Sequence, residues 1–208
     1  RELFNDDWKF INEDLKDAHL PSFDDDNWRE LSLPHDWAIE GPFTEEVSFK
    51  GGYLPYPGVG WYRKSFSPTL ISGNLYLEFG GIMRNSKVFL NGEYIGGWPY
   101  GYTSFKLDIT DKVIENVENV IAIRVDNQDR SSRWYPGSGI YRNVWMNQTH
   151  LTHVDHWGTY ITTPEIKKDY AKIVVETDLV NKQKDSVSIE LITSIFNSDG
   201  NLVALTNN

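Results

Sequence analysis

Apolar and polar residues alternate along most of this chain, and a period of two predicts strands. In Leu75-Tyr76-Leu77-Glu78-Phe79, the residues Leu75, Leu77 and Phe79 fall on one face of an extended segment. Lys87-Val88-Phe89-Leu90 runs into Asn91-Gly92 and then into Glu93-Tyr94-Ile95. Asn-Gly accepts the positive φ angles that a type I′ turn requires at both central positions, so this segment predicts a hairpin. Phe105, Leu107 and Ile109 alternate with polar neighbours, as do Ile121, Ile123 and Val125, and Ile140 to Met146 forms a further extended run. Turn-rich clusters such as Gly51-Gly52 and Pro55-Tyr56-Pro57-Gly58 separate these segments.

Helical signals are slight. Asp24-Asp25-Asp26-Asn27-Trp28 and Thr110-Asp111-Lys112-Val113 each read as the cap of a single turn, and no sustained 3.6-residue period follows either. The expectation is an all-β chain, with a jelly-roll β-sandwich over residues 1–149. From residue 150 the pattern changes. His150 to Pro164 reads as a mixed polar and aromatic connector, followed by alternation over Ile173/Val175/Thr177/Leu179 and Val187/Ile189/Leu191/Thr193/Ile195. Ser198-Asp199-Gly200 then turns into Leu202-Val203-Ala204-Leu205. These segments read as the first part of an immunoglobulin-like sandwich. Such a domain needs about seven strands, so residues 150–208 are expected to hold a domain cut short at Asn208.

Composition narrows the function classes. The 208 residues carry a formal net charge of −10, with no Lys/Arg cluster to neutralise phosphates, which argues against nucleic acid and anionic membrane as partners. No apolar stretch is long enough for a spanning helix. The chain has no Cys, which removes disulfides, thiolate metal sites and cysteine nucleophiles. It opens on Arg1 without a Met, the mark of a processed or trimmed chain. Aromatic residues make up 14% of the chain, enough to fill a core and leave rings for a surface that meets the apolar faces of sugars.

Several segments, taken in order, carry a resemblance. They are Phe4-Asn5-Asp6-Asp7-Trp8-Lys9-Phe10, Leu33-Pro34-His35-Asp36-Trp37, Gly60-Trp61-Tyr62-Arg63-Lys64 and Val88-Phe89-Leu90-Asn91-Gly92. Gly101-Tyr102-Thr103-Ser104-Phe105 with Asp108-Ile109-Thr110 follows, and then Arg133-Trp134-Tyr135-Pro136-Gly137-Ser138-Gly139-Ile140-Tyr141-Arg142. The series resembles the N-terminal, galactose-binding-domain-like sugar-binding domain of glycoside hydrolase family 2, and within it a bacterial β-galactosidase. The resemblance implies a multidomain retaining glycosidase whose TIM barrel follows the two sandwiches and supplies a glutamate acid/base and a glutamate nucleophile. No residue of this chain inherits a catalytic role from it, and no cofactor or metal is implied. Near the position of Trp98 the family commonly carries a His, and this chain departs from it there.

The candidate site residues are Arg133, Trp134, Tyr135 and Asp36. The resemblance implies that the loop carrying Arg133, Trp134 and Tyr135 approaches the barrel, where an arginine and two rings suit the rim of a sugar pocket. Interdomain packing of that loop is the preferred reading over direct substrate contact. His35 and Asp36 are neighbours on an extended segment and point to opposite faces, so they are not expected to act as a dyad. Asp36 is expected to cap a turn or face a neighbouring domain, and Trp37 to be core. His150, His153 and His156 lack a completing ligand and read as a solvated connector rather than a zinc site. Asp24-Asp25-Asp26 lacks the register of a calcium loop, and Gly51 to Gly60 lacks a phosphate-binding pattern.

The expected function is accessory: to pack on a catalytic barrel that lies outside this chain and to help shape its pocket for a β-galactoside. A stand-alone carbohydrate-binding module, an oligomerisation module, or part of a β-glucuronidase or β-mannosidase are the alternatives. The location expected for a sugar-scavenging bacterial enzyme is periplasmic or secreted, with a cytoplasmic one left open, and a homo-oligomer is allowed.

Overall fold

The computed structural model describes residues 1–41, 58–69, 73–127 and 137–208. Among these residues the chain is all-β apart from one 3₁₀ turn, Trp37–Ile39. It divides into two compact units, Arg1–His150 and Leu151–Asn208.

The first unit is built on two antiparallel sheets. The strands are β1 (Glu2–Leu3), β2 (Trp8–Ile11), β3 (Arg29–Leu31), β4 (Gly58–Phe66), β5 (Asn74–Phe79), β6 (Ser86–Leu90), β7 (Glu93–Trp98), β8 (Phe105–Asp108), β9 (Asn119–Asn127) and β10 (Val144–Thr149). One sheet runs β3-β2-β4-β9-β6-β7 and the other β1-β10-β5-β8, so the chain changes sheet at most of its connections from β4 onwards. The hairpin β6–β7 turns through Asn91 at φ 52° and Gly92 at φ 86°, the two positive angles its sequence predicts.

Alternation explains how the six-stranded sheet can bury both faces. Tyr62 of β4 and Ile121, Ile123 and Val125 of β9 point into the main core with Leu75, Leu77 and Phe79 from the other sheet. Their neighbours Trp61 and Ala122 point the opposite way and pack with Ala18 and Trp28 from the long β2–β3 connection. Arg63 shares that outer face and is only 2% exposed. Its Nε donates to Asp25 Oδ2 at 2.6 Å, and its Nη1 donates to the carbonyls of Ala18 at 2.6 Å and Leu20 at 3.0 Å. Lys9 Nζ donates to the other oxygen of Asp25 at 2.6 Å. Burial works against the charge on Asp25, yet Arg63 and Lys9 together hold its carboxyl below the ordinary range. The Asp24–Trp28 segment forms turns around this ion pair, with Asp26 N donating to Asp24 Oδ1 at 3.1 Å.

The second unit contains β11 (Thr152–Ile166) paired with β12 (Ala171–Asn181), and β13 (Ile192–Phe196) paired with β14 (Leu202–Asn207). Three expectations need correction. Most of the segment read as a connector, His150 to Pro164, lies in β11. Its Thr and Ile residues suit a strand, and Pro164 is accommodated where the pairing shifts register between Thr162 and Glu165. Of the alternating run from Val187 to Ile195, only the part from Ile192 onward belongs to a strand, since alternation selects a face without supplying a partner. The run from Ile140 becomes a strand only at Val144, because Ile140 belongs to a segment pinned by other contacts.

Candidate functional site

That segment leads to the candidate site. Residues 42–57 connect Gly41 to Gly58, and residues 128–136 connect Asn127 to Gly137. The roots of the two connections meet, because Gly58 pairs with Asn127 at the end of the β4–β9 ladder. Asn127 then spans its own connection: its Nδ2 donates to the Gly137 carbonyl at 2.9 Å and to Ser138 Oγ at 2.6 Å.

Asp36 completes the clamp. Held in an extended conformation at φ −135°, ψ 103°, it caps the 3₁₀ turn, and its Oδ1 accepts from Ala38 N at 2.9 Å. The same oxygen accepts from Ser138 N at 2.7 Å, across 102 positions of sequence. Trp37 N donates back to the Ser138 carbonyl at 2.9 Å, so Ser138 is bonded through its N–H, its carbonyl and its hydroxyl. One residue further on, Gly139 exchanges two 2.9 Å backbone bonds with Met83. Gly139 sits at φ 126°, and a Cβ there would come within 2.4 Å of the Tyr62 hydroxyl and 2.6 Å of the His35 carbonyl. Asp36 therefore caps its turn as the sequence implies. Its carboxylate serves backbone N–H groups, which makes it a positioning group rather than an acid or base.

His35 faces elsewhere, as neighbours on an extended segment must. Its Nε2 lies 2.6 Å from Arg29 Nη2, a donor, and 3.1 Å from Glu40 Oε1, an acceptor, while its Nδ1 lies 2.7 Å from the Tyr62 hydroxyl. Burial lowers the imidazole's pKa, Glu40 opposing. Arg29 also donates to both oxygens of Glu40, at 3.0 Å and 2.7 Å, and holds that carboxyl below its ordinary range against the effect of burial. Burial pushes the Tyr62 phenol up, a backbone hydrogen bond from Ile140 working the other way. This chain of side chains locks the residues that lead into 42–57.

The candidates Arg133, Trp134 and Tyr135 lie outside the described residues, as do Gly51 to Pro57. Asp36 lies at the roots of the connection that bears the first three. Sequence reasoning missed Asn127, Arg29 and Glu40, whose roles depend on partners distant in sequence. Trp37 is core, at 2% exposure. Among the described residues no group of three or more His, Asp or Glu is arranged to hold a metal ion. A cavity of about 550 Å³ on the first unit is lined by Lys9, Asp25, Arg63 and Lys64, among others. Asp25 there pairs with both Arg63 and Lys9.

Comparison with known proteins gives a consistent picture. A family model described as the β-galactosidase second all-β domain matches residues 15–131, more than half of the chain and wholly within the first unit. A β-galactosidase of Bacteroides ovatus, BoGH2A, is 45% identical over 99% of this chain, which corresponds to 25% of that protein. A β-glucuronidase of Formosa agariphila is 31% identical over 98% of this chain and 23% of its own length. Among solved structures, a glycosyl hydrolase family 2 member from Bacteroides cellulosilyticus superposes over 100% of this chain and 28% of its own, with a TM-score of 0.94 and 36% identity. The chain thus spans about a quarter of the length of the relatives it matches.

Proposed function

The chain belongs to glycoside hydrolase family 2, and from that premise we propose that it serves a retaining β-galactosidase as the part that shapes the rim of the sugar pocket. It is homologous to the non-catalytic N-terminal region of family 2 β-galactosidases. In this reading the parent protein cleaves terminal β-galactosides with carboxylates on a TIM barrel outside these residues. The observation that carries the reading is the clamp of Asp36 on Ser138, which fastens one root of the connection bearing Arg133, Trp134 and Tyr135. A loop that must meet a sugar within a few tenths of an ångström needs a stiff base, and here the base is made of backbone bonds to a single carboxylate. Arg133 then donates to hydroxyls and Trp134 or Tyr135 offers a ring, either to the sugar or to the barrel wall beside it.

The second unit, in the same reading, begins an immunoglobulin-like sandwich. Support comes from its uncovered apolar residues, among them Ile161, Ile192, Phe196, Leu202 and Leu205, which flank or continue the cleft between its strand pairs. A β-glucuronidase parent is the alternative, favoured by the Formosa agariphila relative. The test is to assay the full-length protein and the 208-residue chain side by side on chromogenic β-galactoside, β-glucuronide and β-mannoside. Cleavage of the galactoside by the full-length protein and of nothing by the chain is expected. Turnover by the chain itself contradicts the proposal, and preference for the glucuronide moves the parent to the alternative.

A further inference from the structure

Asn91-Gly92 is the one Asn-Gly pair in the 208 residues, and its chemistry goes beyond the turn it makes. Glycine has no Cβ to shield its backbone nitrogen, so that nitrogen can reach the side-chain carbonyl carbon of the asparagine before it. In that reaction the deprotonated Gly92 N forms a bond to Asn91 Cγ, the Cγ–Nδ2 bond breaks, and ammonia leaves. Water then opens the five-membered succinimide at either carbonyl, giving aspartate or isoaspartate. The fold holds the Asn91 carboxamide against these steps. Its Oδ1 accepts from Val120 N at 2.9 Å, and its Nδ2 donates to Asn119 Oδ1 at 2.8 Å. Asn91 N donates to the Val120 carbonyl at 2.8 Å, and Leu20 and Pro21 lie against Gly92. Bringing Gly92 N onto Cγ turns the carboxamide and the 91–92 peptide relative to each other. The bonds to Asn119 and Val120 resist that motion.

Asn119 gives this lock its direction. It is fully buried, its Oδ1 also accepts from Ile114 N at 2.8 Å, and its Nδ2 donates to the carbonyls of Ile114 at 2.8 Å and Val117 at 2.9 Å. Flipping its amide would set donor against donor and acceptor against acceptor, so Asn119 presents an oxygen to Asn91. Only an NH2 group at Asn91 suits that oxygen. An aspartate there sets one acceptor against another, and an isoaspartate adds a methylene to the backbone of a two-residue turn. We propose that Asn91 is a latent deamidation site, closed while the β6–β7 hairpin is bonded to the start of β9 and opened by local unfolding. The rate then follows the population of the opened hairpin. The product cannot rebuild the bond to Asn119, so refolding does not restore the native hairpin.

The test incubates the full-length protein at mildly alkaline pH and physiological temperature beside a synthetic peptide of residues 86–98. Peptide mapping by mass spectrometry reads conversion at Asn91 in both. The native protein should deamidate there at least about a hundredfold more slowly than the peptide, since only the opened hairpin reacts. Urea sufficient to unfold the first unit should bring the protein to the peptide's rate. Asn119→Ala removes the acceptor that holds Nδ2 and should raise the native rate about tenfold, as the loss of one buried hydrogen bond implies. If Asn119→Ala fails to fold, the comparison of native protein, urea-unfolded protein and peptide decides. Asn91→Asp carries the product itself, and its amides over 86–98 should exchange hydrogen about tenfold faster than those of wild type. A native rate equal to the peptide's, or a peptide that keeps its Asn91 amide, overturns the proposal. So does a folded Asn119→Ala protein as slow as wild type, or Asn91→Asp with wild-type exchange.

Discussion

Removing Arg63 tests whether the outer face of the six-stranded sheet is held by one buried charge. The Arg63→Met substitution keeps most of the side-chain volume and deletes the guanidinium. It leaves the carbonyls of Ala18 and Leu20 without the donors they now use, at 2.6 Å and 3.0 Å, and leaves Asp25 with Lys9 alone. Each buried acceptor left unmade costs about 1–3 kcal/mol, and breaking a buried ion pair from one side about 3–5 kcal/mol. The two figures describe overlapping losses, and Asp25 retains Lys9 and some contact with water, so the lower end of about 3 kcal/mol is expected. For a protein of this size each kcal/mol moves the melting temperature by about 2–4 °C, which gives a fall of about 6–12 °C. Arg63→Lys should lose roughly half as much, since one ammonium can face Asp25 without reaching both carbonyls. The assay is thermal unfolding of the 208-residue chain followed by tryptophan fluorescence, to which Trp28 and Trp61 of the same face contribute. An Arg63→Met variant that melts within about 2 °C of wild type, the shift of less than 1 kcal/mol, refutes the reasoning.

Three further outcomes follow from the same geometry. Burial holds the pKa of His35 below its ordinary 6.5, so the unfolded chain takes up a proton that the folded chain refuses. That contribution to stability is complete above pH 6.5 and is lost as pH falls below it, at up to about 1.4 kcal/mol per pH unit. A His35→Gln variant should show a shallower loss over that window, and identical slopes in urea titrations of the two proteins contradict the assignment. Gly139→Ala should destabilise by about 2–3 kcal/mol, through left-handed strain and the clash with Tyr62 and His35, and a melting temperature like that of wild type contradicts it. Tyr100→Ala, by contrast, should leave the melting temperature unchanged, because an exposed ring stabilises little on folding.

The sequence made much of the frame legible, for local reasons. Asn91-Gly92 names its own turn, alternation in Leu75 to Phe79 and Ile121 to Val125 marks the core face, and an Asp before Trp37-Ala38 announces a cap. What it hid depends on distant partners. Arg63 reads as a surface charge until the β2–β3 connection is seen to wrap it. Asn127 and Ser138 read as loop residues until their side chains are found closing the root of 128–136. The ladder of β11 shifts register between Val154 and Thr159 and again between Thr162 and Glu165, so one alternating pattern does not run through it. The Asp36 role was legible only in half: the cap lies in the sequence, whereas the bond to Ser138 requires the fold.

The measurement that bears most directly on the central claim is the steady-state kinetics of the full-length protein carrying Asp36→Ala, with Asp36→Asn beside it. The alanine removes the acceptor shared by Ala38 N and Ser138 N, while the amide oxygen of asparagine can still serve both. If the clamp positions the rim of the sugar pocket, Asp36→Ala should lower kcat/KM for the chromogenic galactoside by about tenfold to a hundredfold, the range expected for a misplacement of about 1 Å. Asp36→Asn should recover most of it. A folded Asp36→Ala enzyme with the kcat/KM of wild type contradicts the account, because the connection bearing Arg133, Trp134 and Tyr135 would then need no fixed root to do its work.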